Sequence, residues 1–462
     1  MNYDKKLRRY TLAITCGYSV VVHILFNAIN LAIPNIGETY QAATSMLSWV
    51  VNSFVLVTAV FLLPFGRLAD IIGRKKLFVS GLLILAISSF LCSLAWSIEW
   101  LILFRIIQGV GAALGFSTSI AILTSAFPAD ERGRVLGIYS AFLYLGLALG
   151  PTVGGFLIYN WGWTSVFVLC GVMKLILFVM AATQLKGERA GTPERVFDWK
   201  GSLVYIVGLG AFLYGISSLN DHAANTVVAL GGLLLLVLFT RIESRVEHPM
   251  LPFSMLRHNR VFAFSSLITL INYAATFATM FLMSILLQSV LRLDSRIAGL
   301  VLLTQPIVMA VVSPFSGRLS DSIDPKKVSL LGLLICMLSL FLFAFVGLDT
   351  PMFLIVANLI IGGIGHGMFA PPNTNAVMGS VDKSQYGLAS ATLGSVRTIG
   401  QSISMALAAL ILGIYVGSVQ LAFAPPDLLI NAIRTAFVAF AVICFFGVLF
   451  AVMRVRTESR PG

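Results

Sequence analysis

The chain has 462 residues, of which 58% are apolar and only 11% charged, with a mean hydropathy of +0.94. That charge content cannot cover a water-exposed surface, so a soluble globular fold is excluded. The net charge of +12 lies in short loops and tails rather than in one basic face, which argues for a membrane and against nucleic acid as a partner.

Fourteen apolar stretches follow one another, at about 10–33, 46–67, 77–97, 100–123, 135–159, 163–183 and 201–219, then 223–241, 261–289, 297–317, 327–347, 351–379, 387–416 and 429–453. Each meets the roughly 20 residues needed to cross a bilayer. In lipid the backbone must satisfy its own polar groups, so each is predicted to be a helix. The first reads as a true span, since its core is too long for a cleaved leader and no small-residue cleavage site follows Pro34. With both termini placed in the cytoplasm, 25 of the 31 Lys and Arg fall on inner loops or tails. Three are outside (Arg292, Arg296, Arg434) and three within spans (Arg105, Lys174, Arg397). The five cysteines, Cys16, Cys92, Cys170, Cys336 and Cys444, all fall within spans and read as small apolar packing residues.

Between spans 2 and 3 stands Gly66-Arg67-Leu68-Ala69-Asp70-Ile71-Ile72-Gly73-Arg74-Lys75-Lys76, and 251 residues later comes an echo, Gly317-Arg318-Leu319-Ser320-Asp321-Ser322-Ile323-Asp324-Pro325-Lys326-Lys327. The repeat predicts two similar halves, 1–185 and 261–462, each of six spans. Residues 186–260 hold an inserted two-helix pair with polar flanks, giving a 6+2+6 all-α membrane protein. The pair carries little intramembrane polarity and reads as a structural addition. Within the turn, Gly66 is expected to allow close helix contact, Gly73 a conformation that a side chain resists, and Arg74 with its two lysines an anchorage among headgroups. Asp70 reads as a turn residue or as a latch on the positive end of a helix in the other half, near Tyr386 and Gly387, with Asp321 facing the start of span 5 near Arg132 and Arg134.

Span 5 carries Gly146, Gly150 and Gly154 on one stripe, with Pro151 and Gly155 beside it. Such a stripe lets helix backbones approach, and Pro151 marks a possible hinge. Ionisable groups inside spans are costly and normally face a cavity or a partner. Arg105, Lys174, Arg397, His23 and His366 are of this kind. Lys174 lies about ten residues from either end of its span, roughly 15 Å, too deep for easy snorkelling. His23, Asn27, Asn30, Asn52, Arg105, Gln108, Lys174, His366, Asn373 and Arg397 are the candidate cavity residues, with packing between helices the alternative for the amides. All nineteen Asp and Glu fall in loops, tails or at helix ends. Nothing resembles a phosphate loop, a metal-ligand cluster or a nucleophile beside a base, so neither an enzyme nor a cofactor is expected.

In the order Asn30-Leu31-Ala32-Ile33-Pro34, Trp49-Val50-Val51-Asn52, the signature turn at Gly66–Lys76, Leu101-x-x-x-Arg105-x-x-Gln108-Gly109-x-Gly111 and Gly146-x-x-x-Gly150-Pro151-x-x-Gly154-Gly155, then Gln288 to Pro306 and Gly387 to Gly400, the chain resembles the major facilitator superfamily, and within it the fourteen-span drug:proton antiporters. The resemblance covers essentially the whole chain. It implies a monomeric proton-driven exporter of amphiphiles in the inner cell membrane, working by alternating access, with the span-5 stripe associated with antiport. An uncoupled facilitator or exporter of organic anions is the alternative, and a membrane scaffold without turnover the least favoured. The family's first-helix acid is replaced here by Leu25, and the Arg after the span-6 tryptophan by Thr164. Both departures favour a positive or polar cavity over one built for cations.

Overall fold

A computed structural model describes residues 2–127, 132–185, 197–218, 224–243, 257–381, 386–417 and 424–456, together with most of their side chains. The polar flanks of the inserted pair at 186–196 and 244–256 lie outside the described residues. Among the described residues fourteen helices are long and apolar enough to cross a membrane, as the sequence predicts. They are α1 (Asn2–Tyr40), α2 (Thr44–Ile72), α3 (Arg74–Ser93), α4 (Ile98–Ala126), α5 (Arg132–Trp161), α6 (Thr164–Gln184), α7 (Trp199–Ser217) and α8 (Ala224–Glu243). The second half comprises α9 (Arg260–Val290), α10 (Ser295–Ser320), α11 (Pro325–Phe343), α12 (Met352–Gly379), α13 (Tyr386–Val416) and α14 (Pro426–Arg456).

The loop acids explain where several helices begin. Asp198, Asp294 and Asp324 each accept a hydrogen bond from a backbone N–H in the first turn of α7, α10 and α11, at 2.9, 2.9 and 3.0 Å. These caps satisfy amides that a helix start leaves open. Carboxylates are thereby held at helix ends, out of the bilayer interior.

Packing repeats from half to half. Contacts α1–α5, α2–α4, α3–α4, α3–α6 and α1–α6 recur as α9–α13, α10–α12, α11–α12, α11–α14 and α9–α14. The same small-residue approach serves both: a Cβ on Gly81 would come within 2.9 Å of the Gly111 carbonyl, and one on Gly332 within 2.8 Å of the Gly365 carbonyl. Between the halves, α2 meets α13 and α5 meets α10. Helix α7 packs on both α2 and α13, burying Tyr205, Leu209 and Leu213 against Val60 and Leu63, with Ile399 and Ile403 alongside. Its partner α8 turns mostly outward, with Val227 and Leu234 each 70% exposed, as a lipid-facing helix requires.

Two of the helices are interrupted. In α9 the helix Arg260–Thr276 gives way to Thr279–Ile285 and then to a π-helical turn, Leu286–Val290. In α10, Ser295–Leu302 is followed by Thr304–Ser322. By contrast α5 runs unbroken through Pro151, and both breaks fall in the opposite half.

Candidate functional site

The signature turn adopts the conformation expected at one glycine and not the packing expected at another. Gly73 has φ +108°, a region that L side chains rarely adopt, and its N–H closes α2 on the Ala69 carbonyl at 3.0 Å. Arg74 then opens α3, and Lys75 donates to the Leu185 carbonyl, tying the turn to the end of α6. Gly66 does not mediate close contact: a Cβ there would meet only the Ser117 Cβ at 3.9 Å, and one at Gly317 only the Pro371 Cβ at 3.9 Å. The side chains of Asp70 and Asp321, and those of Arg132, Arg134 and Tyr386 at their expected targets, lie outside what the structure describes.

The span-5 glycines are pressed onto α1. Added Cβ atoms would fall 2.7 Å from the Val20 carbonyl at Gly146, 2.7 Å from the Asn27 Cβ at Gly150 and 2.6 Å from the Ala28 Cβ at Gly154. Asn27 secures the pair by donating to the Leu147 carbonyl at 2.9 Å. The other edge of α5 meets the opposite half. A Cβ on Gly155 would lie 2.6 Å from the Ser295 carbonyl, and one on Gly299 only 2.4 Å from the Pro151 carbonyl. Nearby, Ser284 donates to the Asn30 carbonyl at 2.6 Å and Gln288 to the Leu31 carbonyl at 3.0 Å. Asn30 donates to the Phe26 carbonyl at 3.3 Å, along its own helix. Helices α1, α5, α9 and α10 thus form a seal between the halves at the bundle end away from the chain termini. Beyond it a half-open cavity of about 410 Å³ is lined from both halves, by Pro34, Glu38, Gln288, Arg292 and Asp294 among others.

On the termini side of the seal, half-buried side chains of both halves face one another. Phe26 meets Phe277 across the interface, ring centroids 5.1 Å apart. His23 donates from Nδ1 to the Ser19 carbonyl at 2.6 Å and lies edge-on to Phe116 at 5.9 Å. From the other half, Arg397 lies over the Tyr273 ring at 5.2 Å, and Tyr273 meets His366 edge-on at 5.6 Å. His366 Nδ1 stands 3.6 Å from the Cys336 Sγ. His23, Tyr139, Tyr144 and His366 all fall within electrostatic reach of Arg397. Arg397 and His366 thus meet at the Tyr273 ring, and the charge of Arg397 reaches His23 of the other half.

The other candidates are engaged inside single halves. Arg105, 1% exposed, donates to the Val50 carbonyl at 3.0 Å and to the Gln108 Oε1, and lies over Phe54 at 4.4 Å. Gln108 and Lys174 both donate to the Ser89 hydroxyl, at 2.8 and 2.9 Å. This network spans α2, α3, α4 and α6, and in this state it does not line the space between the halves. The expectation of a cavity role for Arg105, Gln108 and Lys174 gives way here to a polar core that links four helices. Asn52 likewise turns to the inserted pair, donating to Ser217 at 2.7 Å.

Asn373 belongs to a network that sequence reasoning missed. Its Oδ1 accepts from Arg454 at 2.7 Å, and Arg454 also donates to Ser265 at 2.8 Å and Ser329 at 2.6 Å. Arg454 reads in the sequence as part of the inner tail, one residue past the predicted end of span 14. The helix continues, and the residue is 1% exposed. The clue was available in the serines and the asparagine of three other spans, which needed a donor. Replacing Arg454 with alanine leaves three polar groups without their partner, and we expect a loss of about 2–4 kcal/mol. Thermal unfolding of the purified protein in detergent measures this, and an unchanged transition would show the network to be dispensable.

Known proteins match along the whole chain. The family model described as Major Facilitator Superfamily matches residues 15–270 and 265–462. The riboflavin transporter RibZ of Clostridioides difficile is 28% identical over 380 residues, 82% of each chain. The multidrug resistance protein Stp of Mycobacterium tuberculosis is 31% identical over 388 residues, 82% of this chain and 71% of that one. Among solved structures, a bacterial homologue of the human lysosomal transporter Spinster superposes with a TM-score of 0.72 at 17% identity, covering 98% of both chains.

Proposed function

Because the chain belongs to the major facilitator superfamily of membrane transporters, we propose that it exports small amphiphilic molecules across the inner cell membrane, driven by the proton gradient through alternating access. The observation that carries this reading is the one-ended seal: the halves lock at Ser284, Gln288, Gly155 and Gly299, while His23, Arg397 and His366 gather on the other side of it. Multidrug resistance proteins among the relatives support the substrate class, and the riboflavin transporter supports a wider one. The working units are residues 1–185 and 261–462, rocking as a monomer about the central site. The pair in 186–260 would brace the lateral contact of α2 with α13.

In this reading both termini are cytoplasmic, the seal is the outer gate, and the structure faces inward. An introduced Thr192→Cys should resist labelling by an impermeant maleimide added outside, whereas Asp349→Cys should react. The reverse pattern would invert the membrane orientation and the direction of transport. Flux in sealed vesicles, with and without an imposed pH gradient, tests transport itself: export requires gradient-dependent movement, and an uncoupled facilitator would show exchange alone.

A further inference from the structure

Arg397 is a cation held at the central site with no counter-ion among the described residues. Among the described residues no carboxylate pairs with it, and its Nε is buried without a hydrogen-bond partner. The titratable groups in its electrostatic reach, on α1, α5 and α12, are two histidines and two tyrosines. The ring beneath it on α9 is Tyr273. None of these supplies a permanent negative charge.

The arrangement is built, not incidental. A Cβ on Gly400 would stand 2.5 Å from the Leu270 carbonyl and 3.1 Å from the Tyr273 Cβ, so α13 is pressed onto α9 one turn from Arg397. The same contact exists in the first half, where Gly146 approaches the Val20 carbonyl and the His23 Cβ. Three residues before these two glycines stand Arg397 and Leu143. The packing is thus two-fold and the charge is not. A cation needed to hold the helix pair would be wanted in both halves; one needed for a ligand is wanted once.

We propose that Arg397 is the anchor for the anionic group of an organic monoanion whose aromatic body rests between Tyr273 and the Phe26–Phe277 pair. The inference rests on the transport reading above and names its substrate class. A guanidinium offers two parallel donors to a carboxylate or sulfonate, and in a site sheltered from water such a charge-assisted pair is strong. Cations are disfavoured at the same place, because an unpaired positive charge in low dielectric repels them.

Three naphthalenes of similar shape test the charge alone: naphthalene-2-sulfonate, the neutral naphthalene-2-sulfonamide, and the trimethyl(2-naphthylmethyl)ammonium cation. Binding is read as the shift in thermal unfolding of the purified full chain, which needs no turnover. The sulfonate should raise the transition and the ammonium should not. Arg397→Gln should weaken sulfonate binding about tenfold or more, with Arg397→Lys in between. Tyr273→Leu keeps the charge, removes the ring, and should weaken all aromatic ligands. Equal binding of the sulfonate by wild type and Arg397→Gln, or preference for the ammonium, would overturn the proposal. Counterflow of the same probes in proteoliposomes tests the transport reading separately: sulfonate that binds but never moves would refute transport while leaving the anion site in place.

Discussion

Valine at Gly299 is expected to force the seal open and to abolish most transport while leaving the chain inserted. The added Cβ would lie 2.4 Å from a backbone carbonyl, that of Pro151, which cannot step aside as the end of the Leu31 side chain at 3.2 Å can. Overpacking of this kind costs about 1–3 kcal/mol. The penalty applies only in the state where α10 lies on α5. The equilibrium between states therefore moves against the sealed one by about tenfold or more, since ~1.4 kcal/mol is one decade. Gly155→Ala should act in the same direction, its Cβ meeting the Ser295 carbonyl at 2.6 Å. Gln288→Cys reports the change: the residue is 8% exposed in the seal and should react slowly with an impermeant maleimide in the parent and fast in the valine variant. Unaltered reactivity, at equal expression, would mean that the contact is passive packing and that the gate lies elsewhere.

The sequence shows the helices themselves clearly, because a bilayer imposes a length and a polarity that local composition must meet. It also shows the two-fold design, since the signature turn repeats at a fixed offset and the structure repeats the helix pairings with it. Which polar residue faces which neighbour was far less legible. Arg105 and Gln108 share one motif of span 4 and Lys174 stands in span 6, yet nothing in their spacing says that Ser89 of α3 ties Gln108 and Lys174 together. That bond depends on the rotation of each helix about its axis, which tertiary packing sets. Arg454 was hidden for another reason. A basic residue near a span end reads as an interfacial anchor, and only the depth of α14 relative to α9, α11 and α12 shows it turned inward. The break in α9 has no proline beside it; the one in α10 is marked by Pro306, which has no N–H for the Leu302 carbonyl, whereas α5 continues through Pro151. The small residues of the span-5 stripe pack on α1. Its second role came from Gly155, the one glycine of the motif whose nearest neighbour, the Ser295 carbonyl, belongs to the other half.

Replacing both His23 and His366 with glutamine should abolish flux driven by a pH gradient while leaving substrate exchange intact. Every Asp and Glu among the described residues stands outside the helices or near a helix end, so a proton crossing with the substrate needs another carrier in the bilayer interior. Histidine is the side chain whose ordinary titration falls nearest physiological pH. The two histidines come from opposite halves, α1 and α12. In His23 the Nδ1 is committed to the Ser19 carbonyl at 2.6 Å, which leaves Nε2 as the atom able to take up a proton. Glutamine keeps a donor and an acceptor at similar reach but does not titrate. Exchange of labelled for unlabelled substrate needs only the rocking of the halves and should therefore survive. Accumulation against a concentration difference needs the proton and should fall to background. Each single replacement separates the contributions: loss from His23→Gln alone would assign the carrier to α1, next to the position where Leu25 stands in place of the family's acid. Full gradient-driven transport by the double variant would exclude both rings and move the coupling to a helix-end carboxylate such as Asp70.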